Sequence, residues 1–143
     1  MQWKGLKMEI KEILFDKDGI LLIFEKTWRP IAIKVINQIM AHYHLPESSR
    51  KPLSENIGLL PDMIHMDSSL LAGTNANVAN DMLKELGWLN RDDFITVSTF
   101  YFNTIAKEAP FHAIEHVEDL LKTLKNCHWS FNSRLLRKCY CIP

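Results

Sequence analysis

The apolar run Ile13-Leu14-Phe15 stops abruptly at Asp16-Lys17-Asp18-Gly19, and this junction limits the possible folds more than any other stretch. A short apolar run closed by a turn signal reads as a buried strand, here over residues 10–15, that opens into a loop. Two carboxylates one residue apart at such a junction suit phosphoryl transfer. Asp16 can attack phosphorus and form an aspartyl-phosphate, while Asp18 can protonate the leaving oxygen and then take the proton of the hydrolytic water. Mg2+ bridging Asp16 and a phosphate oxygen would neutralise charge that otherwise repels the nucleophile, so Asp16 and Asp18 are the candidate metal ligands as well as the candidate catalytic pair. Gly19 lets the backbone turn sharply, and the loop carrying Lys17 and Gly19 can cradle a phosphate with its N–H groups. The same four residues also read as a solvated acidic turn. An EF-hand register would place Asp16, Asp18, Gly19 and Glu25 at calcium-loop positions, but it puts Leu14 at the first ligand position and an apolar run in the second half of the loop.

Beyond the junction the spacing is helical. Thr27 is a candidate N-cap for a helix over residues 28–44, with Pro30 in its first turn and Ile31, Val35 and Ile39 in one stripe. Residues 46–74 are punctuated by Pro46, Pro52, Gly58, Pro61 and Gly73 and read as loops with short elements. A second helix is expected over residues 75–86, stopped by Gly87. Residues 94–106 are read as a third helix despite the β-branched run Ile95-Thr96-Val97-Ser98-Thr99, with Asn90 and Asp93 at its start and Phe94, Val97, Tyr101 and Ile105 as its core stripe. The last clear helix covers residues 115–126, and the tail after Asn126 shows neither a convincing strand nor a convincing helix. Arg91-Asp92-Asp93 reads as a helix start. His112 and His116 read as surface or packing residues rather than metal ligands.

Residues 10–28, with Lys-Glu-Ile-Leu-Phe-Asp16-Lys17-Asp18-Gly19-Ile-Leu-Leu at their centre, closely resemble the first motif of the haloacid dehalogenase superfamily. More narrowly they resemble its phosphoglycolate-phosphatase-like members, in which an FDKDG-type motif is followed by an acidic-Lys/Arg-Thr-Trp helix start. The stretch from Leu60-Pro61 to Leu70-Leu71-Ala72-Gly73-Thr74-Asn75 is similar to a segment of their helical cap, and residues 117–125 to the helix that leads back from it. The resemblance implies an α/β fold, a Rossmann-type core with an inserted α-helical cap. It divides the protein into a first strand and catalytic loop over residues 8–24, a cap over 25–109, and a return to the core with an atypical tail over 110–143. It implies Mg2+-dependent hydrolysis of a small phosphomonoester, with Asp16 as nucleophile, Asp18 as acid/base, and the Asp18 backbone carbonyl joining Asp16 on the metal.

Two positions depart from the pattern: Ile20 replaces the usual Thr, and Ile23 stands where many relatives are acidic. The strand ending in Ser or Thr that should follow Asn126 has no apolar counterpart before Ser130 or Ser133. Each strand and crossover of a parallel sheet takes roughly 30 residues. With 143 residues in all, the core is therefore expected to be incomplete, the protein truncated at its C-terminus, and the phosphatase inactive by itself. The alternatives are a non-catalytic helical interaction module and a divalent-metal-binding fragment.

Composition narrows the partners. Lys+Arg 17 against Asp+Glu 17 gives a formal net charge of +0, so nothing electrostatic favours nucleic acid or an anionic membrane. No apolar run is long enough to span a bilayer, and Lys4, Lys7, Glu9 and Lys11 interrupt any secretory h-region, so a cytoplasmic location is expected. Cys127, Cys139 and Cys141 are read as reduced thiols, because their spacing with His128 fits a zinc site poorly. Half a core would leave apolar surface exposed, so self-association through that surface is expected.

Overall fold

In the computed structural model, which describes residues 12–16, 22–124 and 128–132, six helices are the main elements between Phe24 and Thr123. The order of elements is β1 (Glu12–Asp16), α1 (Phe24–His42), a 3-10 turn (Glu47–Ser49), α2 (Arg50–Asn56), α3 (Ser69–Ala72), α4 (Asn75–Leu83), α5 (Arg91–Glu108), α6 (Val117–Thr123) and β2 (His128–Asn132). They fall into two units, one of residues 24–112 and one made of residues 1–23 with 113–143. Among the described residues no helix is long and apolar enough to cross a membrane.

The first unit is all helical. Along α1, Ile31, Ala32, Val35, Ile36, Ile39 and Met40 are buried, a stripe that recurs every three to four residues. The helix begins at Phe24, one turn before the expected start, so Thr27 is not its N-cap and Pro30 lies inside it. Thr27 is instead buried, and its Oγ1 accepts a hydrogen bond from the His112 backbone N–H at 3.3 Å. An interior proline costs about 3 kcal/mol. Full burial of an Ile or Val side chain is worth about 1.5–3 kcal/mol, and Ile31, Val35, Ile36 and Ile39 together outweigh that cost.

The other helices close on this stripe. Helix α5 packs on α1 and on α4, α2 packs on α1 and α4, and α3 packs on α4. On α5 the buried positions are Phe94, Ser98, Phe102 and Ala106, with Ile95, Tyr101 and Ile105 only partly buried. The β-branched residues that cast doubt on α5 cost a few tenths of a kcal/mol each in a helix. Burying Phe94 and Phe102 exceeds that several-fold. Asn90 caps the helix by accepting from the Asp93 N–H at 3.0 Å. Helix α4 opens with a capping box, Thr74 accepting from Asn77 N and the Asn77 side chain accepting from Thr74 N. It ends at Leu83, so Gly87 lies beyond the helix rather than at its stop.

Between α2 and α3 a short hairpin forms. Leu59 and Ile64 make an antiparallel bridge, Leu60 N–H donates to Met63 O at 2.9 Å, and Pro61-Asp62 is the tip. The hairpin starts from Gly58, whose φ of +81° is open to glycine but strained for other residues.

In the second unit β1 and β2 pair in parallel, from Glu12 opposite His128 to Asp16 opposite Asn132. Leu22 bridges Ala113, and α6 precedes β2 with His116 at its N-terminus in the left-handed region, φ 66°. This corrects two expectations. The protein is mostly helical, with strand limited to β1 and β2 among the described residues, and it does not build the Rossmann-type α/β core with a cap that the resemblance implied. A doubly wound sheet needs several near-continuous Val/Ile/Leu runs buried on both faces. Here the apolar residues recur at helical spacing and are buried as helix stripes instead. The tail is also not wholly irregular: residues 128–132 form β2, because an available partner strand, rather than intrinsic pattern, decides a weakly alternating segment.

Candidate functional site

Asp16 is the last residue of β1, in register with Asn132 at the end of β2. Its placement follows from the sequence: the apolar run ends there and a turn signal follows in the residue order. Lys17, Asp18 and Gly19 lie outside the described residues, as do Cys127, Cys139, Cys141 and Ser133. Among the described residues no group of three or more His, Cys, Asp or Glu side chains could hold a metal ion. Glu25, which an EF-hand register would use as a ligand, sits in the first turn of α1 and accepts a hydrogen bond from the Ile64 N–H at 2.6 Å.

The remaining candidates have structural occupations. Arg91 donates to Asn80 Oδ1 at 2.9 Å, and Asp92 and Asp93 sit in the first turn of α5, where carboxylates suit the helix dipole. The His116 ring lies 3.3 Å from a Glu115 carboxylate oxygen and 3.8 Å from one of Asp119. His42 Nδ1 is 3.0 Å from the Tyr101 hydroxyl, beside Tyr43, which stacks on Phe94 with centroids 5.5 Å apart. Burial pushes the Tyr43 hydroxyl above its usual pKa, with smaller contributions from the charge of Asp93 and from Tyr101.

One feature of the helical unit was missed by the sequence reading. Arg29 donates from Nη2 to the carbonyl oxygens of Leu60 and Pro61 and pairs with Glu25 at 3.5 Å, so Glu25 and Arg29 together pin the hairpin onto the first two turns of α1. Beside the pinned hairpin runs an open groove of about 480 Å3, lined by the apolar Ile33, Leu59 and Leu60 and by the charged Glu47, Arg50, Lys51 and Glu55. Arg50 is committed: it donates to Glu47 and to Asn37, and the hydrogen bond to its guanidinium holds the Glu47 carboxyl below the usual carboxylate range. The available signal was the Glu25/Arg29 pair at i,i+4, which periodicity alone would assign to a solvated helix face.

No protein-family model matches this sequence, and no curated protein or solved structure is significantly similar to it.

Proposed function

We propose that this protein holds the nucleophile segment of a Mg2+-dependent phosphomonoester hydrolase of the haloacid dehalogenase type, and that it does not complete turnover by itself. The observation that carries this reading is the position of Asp16 at the carboxyl end of β1, in register with the end of a parallel neighbour. The carboxyl ends of parallel strands are where ligand-binding loops begin. In this reading the Asp16 carboxylate attacks phosphorus and the alcohol leaves, taking its proton from Asp18. Asp18 then accepts a proton from the water that cleaves the aspartyl-phosphate. The loop with Lys17 and Gly19 holds the phosphoryl oxygens. The two carboxylates are hard oxygen donors that suit Mg2+, which supplies positive charge at the phosphate when bound. The substrate class is a small phosphorylated metabolite, and the setting is the cytoplasm.

Turnover needs preorganised groups around the developing charge from several directions. Among the described residues Asp16 has one neighbouring strand end, which supports binding more than catalysis. The test is Mg2+ titration and phosphate release by the purified protein beside Asp16→Asn. The expected result is Mg2+ binding weakened about tenfold or more in the variant, with no phosphate released by either protein. Mg2+-dependent release abolished by Asp16→Asn would show the protein to be a competent enzyme. Equal Mg2+ affinity in both proteins would remove the reading.

A second reading, a non-catalytic helical interaction module, is favoured by the helical unit, whose core cluster among the described residues runs from Trp28 to Ala106. It becomes the better one if Mg2+ binds neither protein.

A further inference from the structure

The hairpin tip and the groove beside it form a knob next to a hole. Met63 is 47% exposed and Ile33 43% exposed, and Pro61 is exposed while also lining the groove. The tip is held from behind by Glu25 and by Arg29, so little conformational freedom is lost when it docks. Of the cations around the groove, Arg29 is bound to the hairpin carbonyls and Arg50 to Glu47 and Asn37. Lys51 differs: it is 82% exposed and lies 3.8 Å from Glu55, a surface pair of the kind worth about 0–1 kcal/mol and readily exchanged. Next to Met63 the tip carries the exposed carboxylate of Asp62. With Glu47 held by Arg50, one patch therefore presents an apolar knob with a negative charge and an apolar hole whose exchangeable cation is Lys51. Such a patch is complementary to itself under two-fold rotation. The formal net charge of +0 adds no long-range repulsion between copies.

We propose that this face of the helical unit binds a second copy of the protein, the Pro61-Asp62-Met63 tip of each protomer seating over Ile33 and Leu60 of the other while Asp62 of each meets Lys51 of the other. A tip of this size is small beside the roughly 20–30 residues per side of a standard interface, so the dimer is weak and exchanges rapidly. The surface is distinct from the phosphate-binding reading of Asp16 and stands without it.

Sedimentation equilibrium of the 143-residue protein from about 10 µM to about 1 mM tests the proposal. A monomer–dimer equilibrium is expected, abolished by Met63→Glu and weakened about tenfold by either Lys51→Glu or Asp62→Lys. The double variant Lys51→Glu/Asp62→Lys restores it, because the pair is re-formed with its charges exchanged. All three sites are exposed, so the variants keep the helical circular dichroism of the parent. A monomer at every concentration overturns the proposal, as does association that ignores the single charge reversals or is not rescued by the double one.

Discussion

Ser98 lies on the buried stripe of α5 at 0% exposure, and its Oγ has no hydrogen-bond partner among the described residues. A buried hydroxyl without a partner forfeits its hydration and gains nothing in return. Ser98→Ala should therefore raise stability by about 1 kcal/mol, seen as a higher urea midpoint with an unchanged slope. The Tyr43 hydroxyl oxygen is likewise buried without a partner among the described residues, and burial raises its pKa above the usual 10.0. An acid whose folded pKa is raised stabilises the fold below its unfolded value and loses that contribution as pH rises through the folded one. The stability difference between wild type and Tyr43→Phe, which keeps the stack on Phe94, should be flat below pH 10 and move against wild type above it. Chemical denaturation across alkaline pH checks this. Neither site was legible beforehand. The sequence stripe Phe94, Val97, Tyr101, Ile105 is one lane away from the buried Phe94, Ser98, Phe102, Ala106, and a single helix's periodicity does not say which lane its neighbours will cover.

Among the elements, helices α1, α4 and α5 were foreseen in place, as were the start of α4 at Asn75 and the Asn90 cap of α5, while the start of α1 and the end of α4 were not. Pro30 suggested a start at residue 28, yet α1 begins at Phe24, because packing of Trp28, Ile31 and Ala32 offsets an interior proline. The hairpin is the element most exposed to one change. A Cβ on Gly58 would stand 2.1 Å from the Ser68 Cβ, in addition to the strain of φ +81°. Gly58→Ala is expected to destabilise by about 2 kcal/mol or more, measured as a lower midpoint of thermal or urea unfolding. The punctuation of residues 46–74 marked a turn at Gly58. The neighbour that makes glycine obligatory is Ser68, ten residues on, and no local pattern reports that contact.

Among the described residues, the helical core cluster lies wholly within residues 24–112. A fragment of residues 24–112 is expected to keep its helical circular dichroism and to unfold in one cooperative transition, checked by coincident far-UV and tryptophan-fluorescence melts. A fragment that melts gradually would show that the other unit is needed to fix the core. Where helices form was written locally, because an apolar residue every three to four positions is a property read within one or two turns. The place of Asp16 at the end of a strand was local too, because the apolar run and the turn signal are adjacent in the sequence. The fold class, the β2 strand and the Glu25–Arg29 hold on the hairpin were settled only by packing. Each depends on partners far apart in the sequence: Asp16 with Asn132, Arg29 with Leu60 and Pro61, Glu25 with Ile64. Strand pairing and polar contacts are satisfied by whichever distant group the packed helices bring near, and that choice is made by the sum of burial over all the elements rather than by any one segment.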